Sequence, residues 1–114
     1  MGTLIYGPGT RYEFEDRELA HIKVAIAVKL RRQESFLLNW VVPKGEGSGR
    51  VSLWISPAMP LQFQFTGSRP PALNKAWLDA LAVTSHRTGG MQVMAEEDAE
   101  SFIRDESGQT PFPG

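Results

Sequence analysis

Apolar and polar residues alternate without exception over Leu61-Gln62-Phe63-Gln64-Phe65, and Thr66-Gly67-Ser68-Arg69-Pro70-Pro71 stops the run. A period of two with one apolar face predicts a half-buried strand. Beyond the turn the period lengthens to about 3.6 residues. This predicts a helix from near Asn74 to His86, with Leu73, Trp77, Ala80, Leu81 and Thr84 on one arc. Gly89-Gly90 then reads as its glycine C-cap.

The same reading extends along the chain. Thr3–Tyr6 and Thr10–Phe14 flank Gly7-Pro8-Gly9 and predict a hairpin. Glu15 or Asp16 is placed to cap a helix running to about Arg32, where a carboxylate meets unpaired N–H groups and the positive end of the dipole. Its residues Leu19, Ile22, Ile26 and Leu30 make one apolar stripe. Ala20, Val24 and Val28 make a second strip, well round from the first, which calls either for cover within the domain or for another chain. Glu34–Val42, Arg50–Ser56 and Leu61–Phe65 predict three strands of an antiparallel meander, broken by Pro43–Gly49 and Pro57–Pro60. Met91–Met94 predicts a short last strand.

The expected architecture is therefore α+β, in the order β-β-α-β-β-β-α-β. Both helices are expected to pack on one face of a largely antiparallel sheet. Residues 1–94 read as one domain and residues 95–114 as an acidic, flexible tail with at most a short helix at Asp98–Arg104.

Charge sharpens that boundary. After Met94 there are six acids (Glu96, Glu97, Asp98, Glu100, Asp105 and Glu106) against Arg104 alone. Seven acids and eleven bases stand upstream, so a body of +4 carries a tail of −5 within a net charge of −1. There is no cysteine, which excludes disulfides, thiolate metal sites and a cysteine nucleophile. The chain shows neither a signal-peptide pattern nor a run long enough to span a membrane, so a cytoplasmic protein without a membrane partner is expected.

Candidate chemistry is sparse. His21 and His86 fall on different helices, no His/Asp/Glu group has metal-ligand spacing, and no phosphate-binding glycine loop is present. No cofactor and no metal are expected. Two loops share a theme, Gly47-Ser48-Gly49-Arg50 and Gly67-Ser68-Arg69. Glycine allows close backbone approach, serine offers a hydroxyl, and arginine offers a fork suited to phosphate or carboxylate. Trp54 lies on the strand face opposite Leu53 and Ile55, where an open tryptophan stacks a base or meets a protein.

Arg50, Trp54, Ser68 and Arg69 are thus the ligand-binding candidates, and Ala20, Val24 and Val28 the interface candidates. They point to a non-catalytic interaction module with a protein partner or a second copy of itself. The alternative is a binder of single-stranded nucleic acid or of a phosphorylated ligand.

Met1-Gly2-Thr3-Leu4-Ile5-Tyr6-Gly7, Leu19-Ala20-His21, Lys29-Leu30-Arg31-Arg32-Gln33-Glu34-Ser35-Phe36 and Phe65-Thr66-Gly67-Ser68-Arg69-Pro70-Pro71 together resemble a small uncharacterised domain family of actinobacteria. The resemblance covers Met1 to about Met94. Members of that family often carry the label "ATP-dependent DNA ligase" by automatic transfer. The label implies nucleotidyl transfer through the lysine of a Lys-x-Asp-Gly motif. Its nearest counterpart in this chain is Lys44-Gly45-Glu46-Gly47, with Glu in place of Asp, which makes Lys44 the catalytic residue that the resemblance implies.

Overall fold

The computed structural model describes residues 1–42 and 49–108. A hairpin of β1 (Gly2–Tyr6) and β2 (Thr10–Phe14) leads into α1 (Asp16–Arg31). Strands β3 (Phe36–Val41), β4 (Arg50–Ile55) and β5 (Leu61–Gln64) follow, then α2 (Lys75–Ser85), β6 (Met91–Gln92) and α3 (Glu96–Gly108). The fold is α+β, with mostly antiparallel strand pairs divided between two three-stranded sheets of order β2-β1-β5 and β4-β3-β6.

That division differs from the expected meander. β5 pairs with β1, in the register Thr3↔Gln64 to Tyr6↔Leu61, and not with β4. The Pro57–Pro60 break carries the chain away from β4, and Gly7 donates its N–H to the Pro60 carbonyl at 3.0 Å, delivering β5 to the hairpin. β6 joins β3 in parallel, Leu38↔Met91, which the α2 connection permits because parallel neighbours need a long crossover.

One core lies beneath both sheets. Leu4 and Phe14 from the first sheet meet Phe36, Leu38, Trp40, Leu53 and Ile55 from the second, and Leu19, Ile22 and Ile26 of α1 and Leu81 of α2 close it. Burial of each such large side chain is worth about 1.5–3 kcal/mol. Trp40 receives Tyr12 and Phe14 edge-on, with ring centroids 5.2 and 5.0 Å away.

A satellite cluster, Trp77, Ala80 and Ala99, joins α2 to α3. Helix α3 is longer than the Asp98–Arg104 segment expected within the tail, and Ala99 is fully buried against α2. Its register leaves Glu97, Asp98 and Glu100 exposed.

Local chemistry also departs from expectation at both helix ends. The Glu15 side chain makes no capping bond. The Asp16 carboxylate instead accepts the backbone N–H groups of Gly67 (2.8 Å) and Thr66 (3.2 Å). Helix α2 ends at Ser85 with His86 as its C-cap, so Gly89-Gly90 is not the cap. Gly90, at a φ of +95°, passes against the Leu37 backbone of β3, where a side chain has no room. Leu73, expected on the core arc of α2, precedes the helix and is exposed.

Candidate functional site

Helix α1 and the segment after β5 enclose a groove, a concavity of about 400 Å³. Its floor is Ala20 and Val24 from α1, Phe65, Pro70 and Pro71 from the turn, and Leu73. Lys23, Arg69, Asp16 and Arg17 border it, and Gly67 and Ser68 complete the wall. The volume lies in the range typical of ligand pockets, about 300–1,000 Å³, which are lined mostly by apolar groups with a few placed polar ones.

The walls are held by a polar network. Arg17 donates to both Glu96 oxygens, from Nε at 3.3 Å and from Nη2 at 2.7 Å, and from Nη1 to the Ala72 carbonyl. Asn74 caps α2 by accepting the Ala76 N–H at 2.9 Å, and its Nδ2 donates to Glu96 at 2.7 Å and to Glu100 at 3.0 Å. Arg17 and Asn74 hold the Glu96 carboxyl down at about 2, well below its ordinary value. The Arg17 guanidinium is correspondingly pushed up by Glu96. Backbone N–H groups of Gly67 and Thr66 likewise lower Asp16. Asp16 and Arg17 are therefore committed to structure. Lys23 and Arg69 make no ion pair among the described residues, and the Lys23 ammonium lies 5.7 Å from the centre of the Phe65 ring. The rim carries two uncompensated positive charges.

His21 stands behind this wall, fully buried and stacked on Trp77 at 4.3 Å. Its Nδ1 lies 2.7 Å from the Arg17 carbonyl, and its Nε2 accepts the Asn74 N–H at 2.8 Å. These partners assign the neutral tautomer with the proton on Nδ1. Both ring nitrogens are occupied by backbone, and the imidazole does not line the groove.

The described site candidates fall into three places. Ser68 and Arg69 meet Ala20 and Val24 in the groove, so half of the ligand set and two-thirds of the interface set converge. Along the strip, cover decreases from buried Ala20 through half-buried Val24 to exposed Val28. Val28 lies in a smaller depression of about 230 Å³ with Arg32, Asp79 and His86, which Val24 also lines. Arg50 and Trp54 are exposed on the outer face of β4, and neither lines the groove that Arg69 borders. Lys44, Gly47 and Ser48 lie outside the described residues.

Arg17, Asn74 and Glu96 were not legible as a unit, because they are 57 and 22 residues apart in sequence. The one available signal was an asparagine immediately before a helical period, which marks an N-cap. Among the described residues, no three His, Asp or Glu side chains gather as a metal site, and no helix is long and apolar enough to cross a membrane.

A family model described as Domain of unknown function (DUF7882) matches residues 1–96. No curated protein and no solved structure matches the chain.

Proposed function

The chain belongs to the DUF7882 family, and for this member we propose a non-catalytic binding module that docks a short acidic, apolar-anchored segment of a partner protein in the α1 groove. The observation that carries the reading is the groove itself: an apolar floor of Ala20, Val24, Phe65 and Leu73 beneath the uncompensated cations Lys23 and Arg69. An apolar side chain fills the floor, while a neighbouring carboxylate or phosphate meets the fork of Arg69 and the ammonium of Lys23. Preformed walls favour binding, since the Arg17–Glu96–Asn74 network fixes them before any partner arrives. The non-catalytic part is supported by His21, whose two ring nitrogens are both engaged by backbone groups.

Selection of a random displayed-peptide library on the immobilised protein tests this. Enriched peptides should pair a large apolar residue with an acid, and lose binding to Val24→Glu and Arg69→Glu. Enrichment without acids, or unchanged binding to both variants, refutes the reading. Sedimentation of the wild type beside Val24→Glu shows whether a second copy is the partner. Incubation with labelled ATP and magnesium tests the nucleotidyl-transfer reading. A covalent adduct lost in Lys44→Ala would overturn the non-catalytic assignment.

A further inference from the structure

The outer face of the β4-β3-β6 sheet is a second surface, separate from the groove. Register places Trp54 opposite Leu37, Ser52 opposite Asn39, and Arg50 opposite Val41, with Gln92 of β6 beside Asn39. These seven side chains share one face. Trp54 and Val41 are among the most exposed large apolar residues of the chain, at 54% and 70%. A concavity of about 370 Å³ lies within the face, bordered by Asn39, Val41, Arg50, Ser52 and Gln92.

Three properties of the face bear on what it holds. Among the described residues, no carboxylate stands on it, in a chain with 13 acids. Its single charge among the described residues is the Arg50 guanidinium, which makes no hydrogen bond or ion pair with them. Its polar centre is preset: Ser52 donates to Asn39 Oδ1 at 2.5 Å, and Asn39 Nδ2 donates to the carbonyls of Gly89 (2.8 Å) and Met91 (3.2 Å). The Gln92 amide beside them remains exposed, with both a donor and an acceptor.

We propose that this face binds single-stranded nucleic acid, with a base stacked on Trp54, a phosphate on Arg50 and Gln92 facing a base edge between them. A cation with no acid nearby among the described residues matches an anionic backbone, and an indole on an open sheet gives any base a stacking platform. Trp54 and Arg50 are four residues apart on one strand, about 13 Å at the strand rise. One ligand must span that distance to use both, which a chain of nucleotides does and a mononucleotide does not.

Intrinsic fluorescence reads this face selectively. Trp40 and Trp77 are buried, at 8% and 5%, so a quencher in solution meets Trp54. At low salt, a short oligothymidylate should quench the emission saturably, and thymidine monophosphate at the same nucleotide concentration should not. Anisotropy of a labelled oligothymidylate extends the test to variants. Trp54→Ala should bind roughly 5- to 150-fold more weakly, the loss expected for one stacked base. Trp54→Phe should retain part of the affinity.

Each phosphate neutralised on a single strand contributes a slope of about −0.7 in log K against log salt. Arg50→Ala should lower the slope by that amount. Val24→Glu should leave binding unchanged, because Val24 lies in the two depressions along α1 and not on this face. Absence of saturable binding at low salt overturns the proposal, as does wild-type affinity in both Trp54→Ala and Arg50→Ala. Quenching by a neutral oligosaccharide in place of the oligothymidylate assigns the face to sugars and overturns it too.

Discussion

Replacing Gly90 with alanine probes how β6 is seated against β3. Gly90 holds a φ of +95°, and a Cβ built there lies 2.6 Å from the Leu37 carbonyl oxygen and 2.8 Å from Leu37 Cβ. Two costs follow. A non-glycine residue held in a sparsely populated backbone region costs about 1–3 kcal/mol. The clash is with backbone, so no flexible side chain absorbs it, and forced expansion of a packed site costs about 1–3 kcal/mol more. The sum, about 2–6 kcal/mol, is a large share of the roughly 5–15 kcal/mol that holds a domain folded. Urea unfolding followed by far-ultraviolet dichroism should show a lowered midpoint with an unchanged slope.

Gly89→Ala is the control: nothing lies within 4 Å of its Cβ position and its φ is not positive, so its change should stay within about 0.5 kcal/mol. The reasoning also locates the damage. The Val93 N–H donates to the Asn39 carbonyl at 2.9 Å, continuing the β3–β6 pairing. Its hydrogen exchange should accelerate in Gly90→Ala more than that of amides in β1. Equal midpoints for the two alanine variants, or uniform acceleration across the protein, would refute the close-approach argument.

His21→Ala should destabilise by about 1–3 kcal/mol through the orphaned Asn74 N–H alone, and by more through the cavity beside Trp77; urea midpoints read the total, and a loss below 0.5 kcal/mol would contradict the buried staple. Acid should weaken the fold in a defined window. Glu96 titrates at about 2 in the folded protein and at an ordinary 4.5 when released, so its contribution is complete above about 4.5 and disappears as pH falls toward 2. Asp16 and Glu34, also lowered, act in the same direction, while Glu18, raised by burial, opposes them. Urea midpoints measured from pH 6 down to pH 2 should fall through that window, and Arg17→Gln should reduce the dependence. A flat profile would exclude the Arg17–Glu96 pair as a source of stability.

Local pattern determined most of the elements. Alternation in β5, the Gly7-Pro8-Gly9 hairpin and the Leu19–Ile22–Ile26 stripe each express a side-chain period set by backbone geometry alone, so a few neighbouring residues suffice to read them. The face that Trp54 shares with Ser52 was legible for the same reason, though not that it is open, and Ser68 and Arg69 were legible as residues of a turn leading to a helix. What local pattern does not contain is the partner of an element. Whether β5 adds to β4 or to β1 depends on the path that Pro57–Pro60 imposes and on which apolar faces close over one core. Both pairings satisfy the same alternation.

The groove was undetermined for that reason. Ala20 and Val24 come from α1, Arg69 from a turn 45 residues beyond Val24, and they are brought together by the docking of Asp16 on the Thr66 and Gly67 N–H groups, of Arg17 on the Ala72 carbonyl and of His21 on the Asn74 N–H. Gly90 shows the same limit at a single residue. Its position after a helix suggested a cap, while the need for glycine comes from Leu37, a neighbour 53 positions away. Sequence fixes the faces that each element presents; the burial of those faces against one another, a non-local quantity, decided where the sites lie.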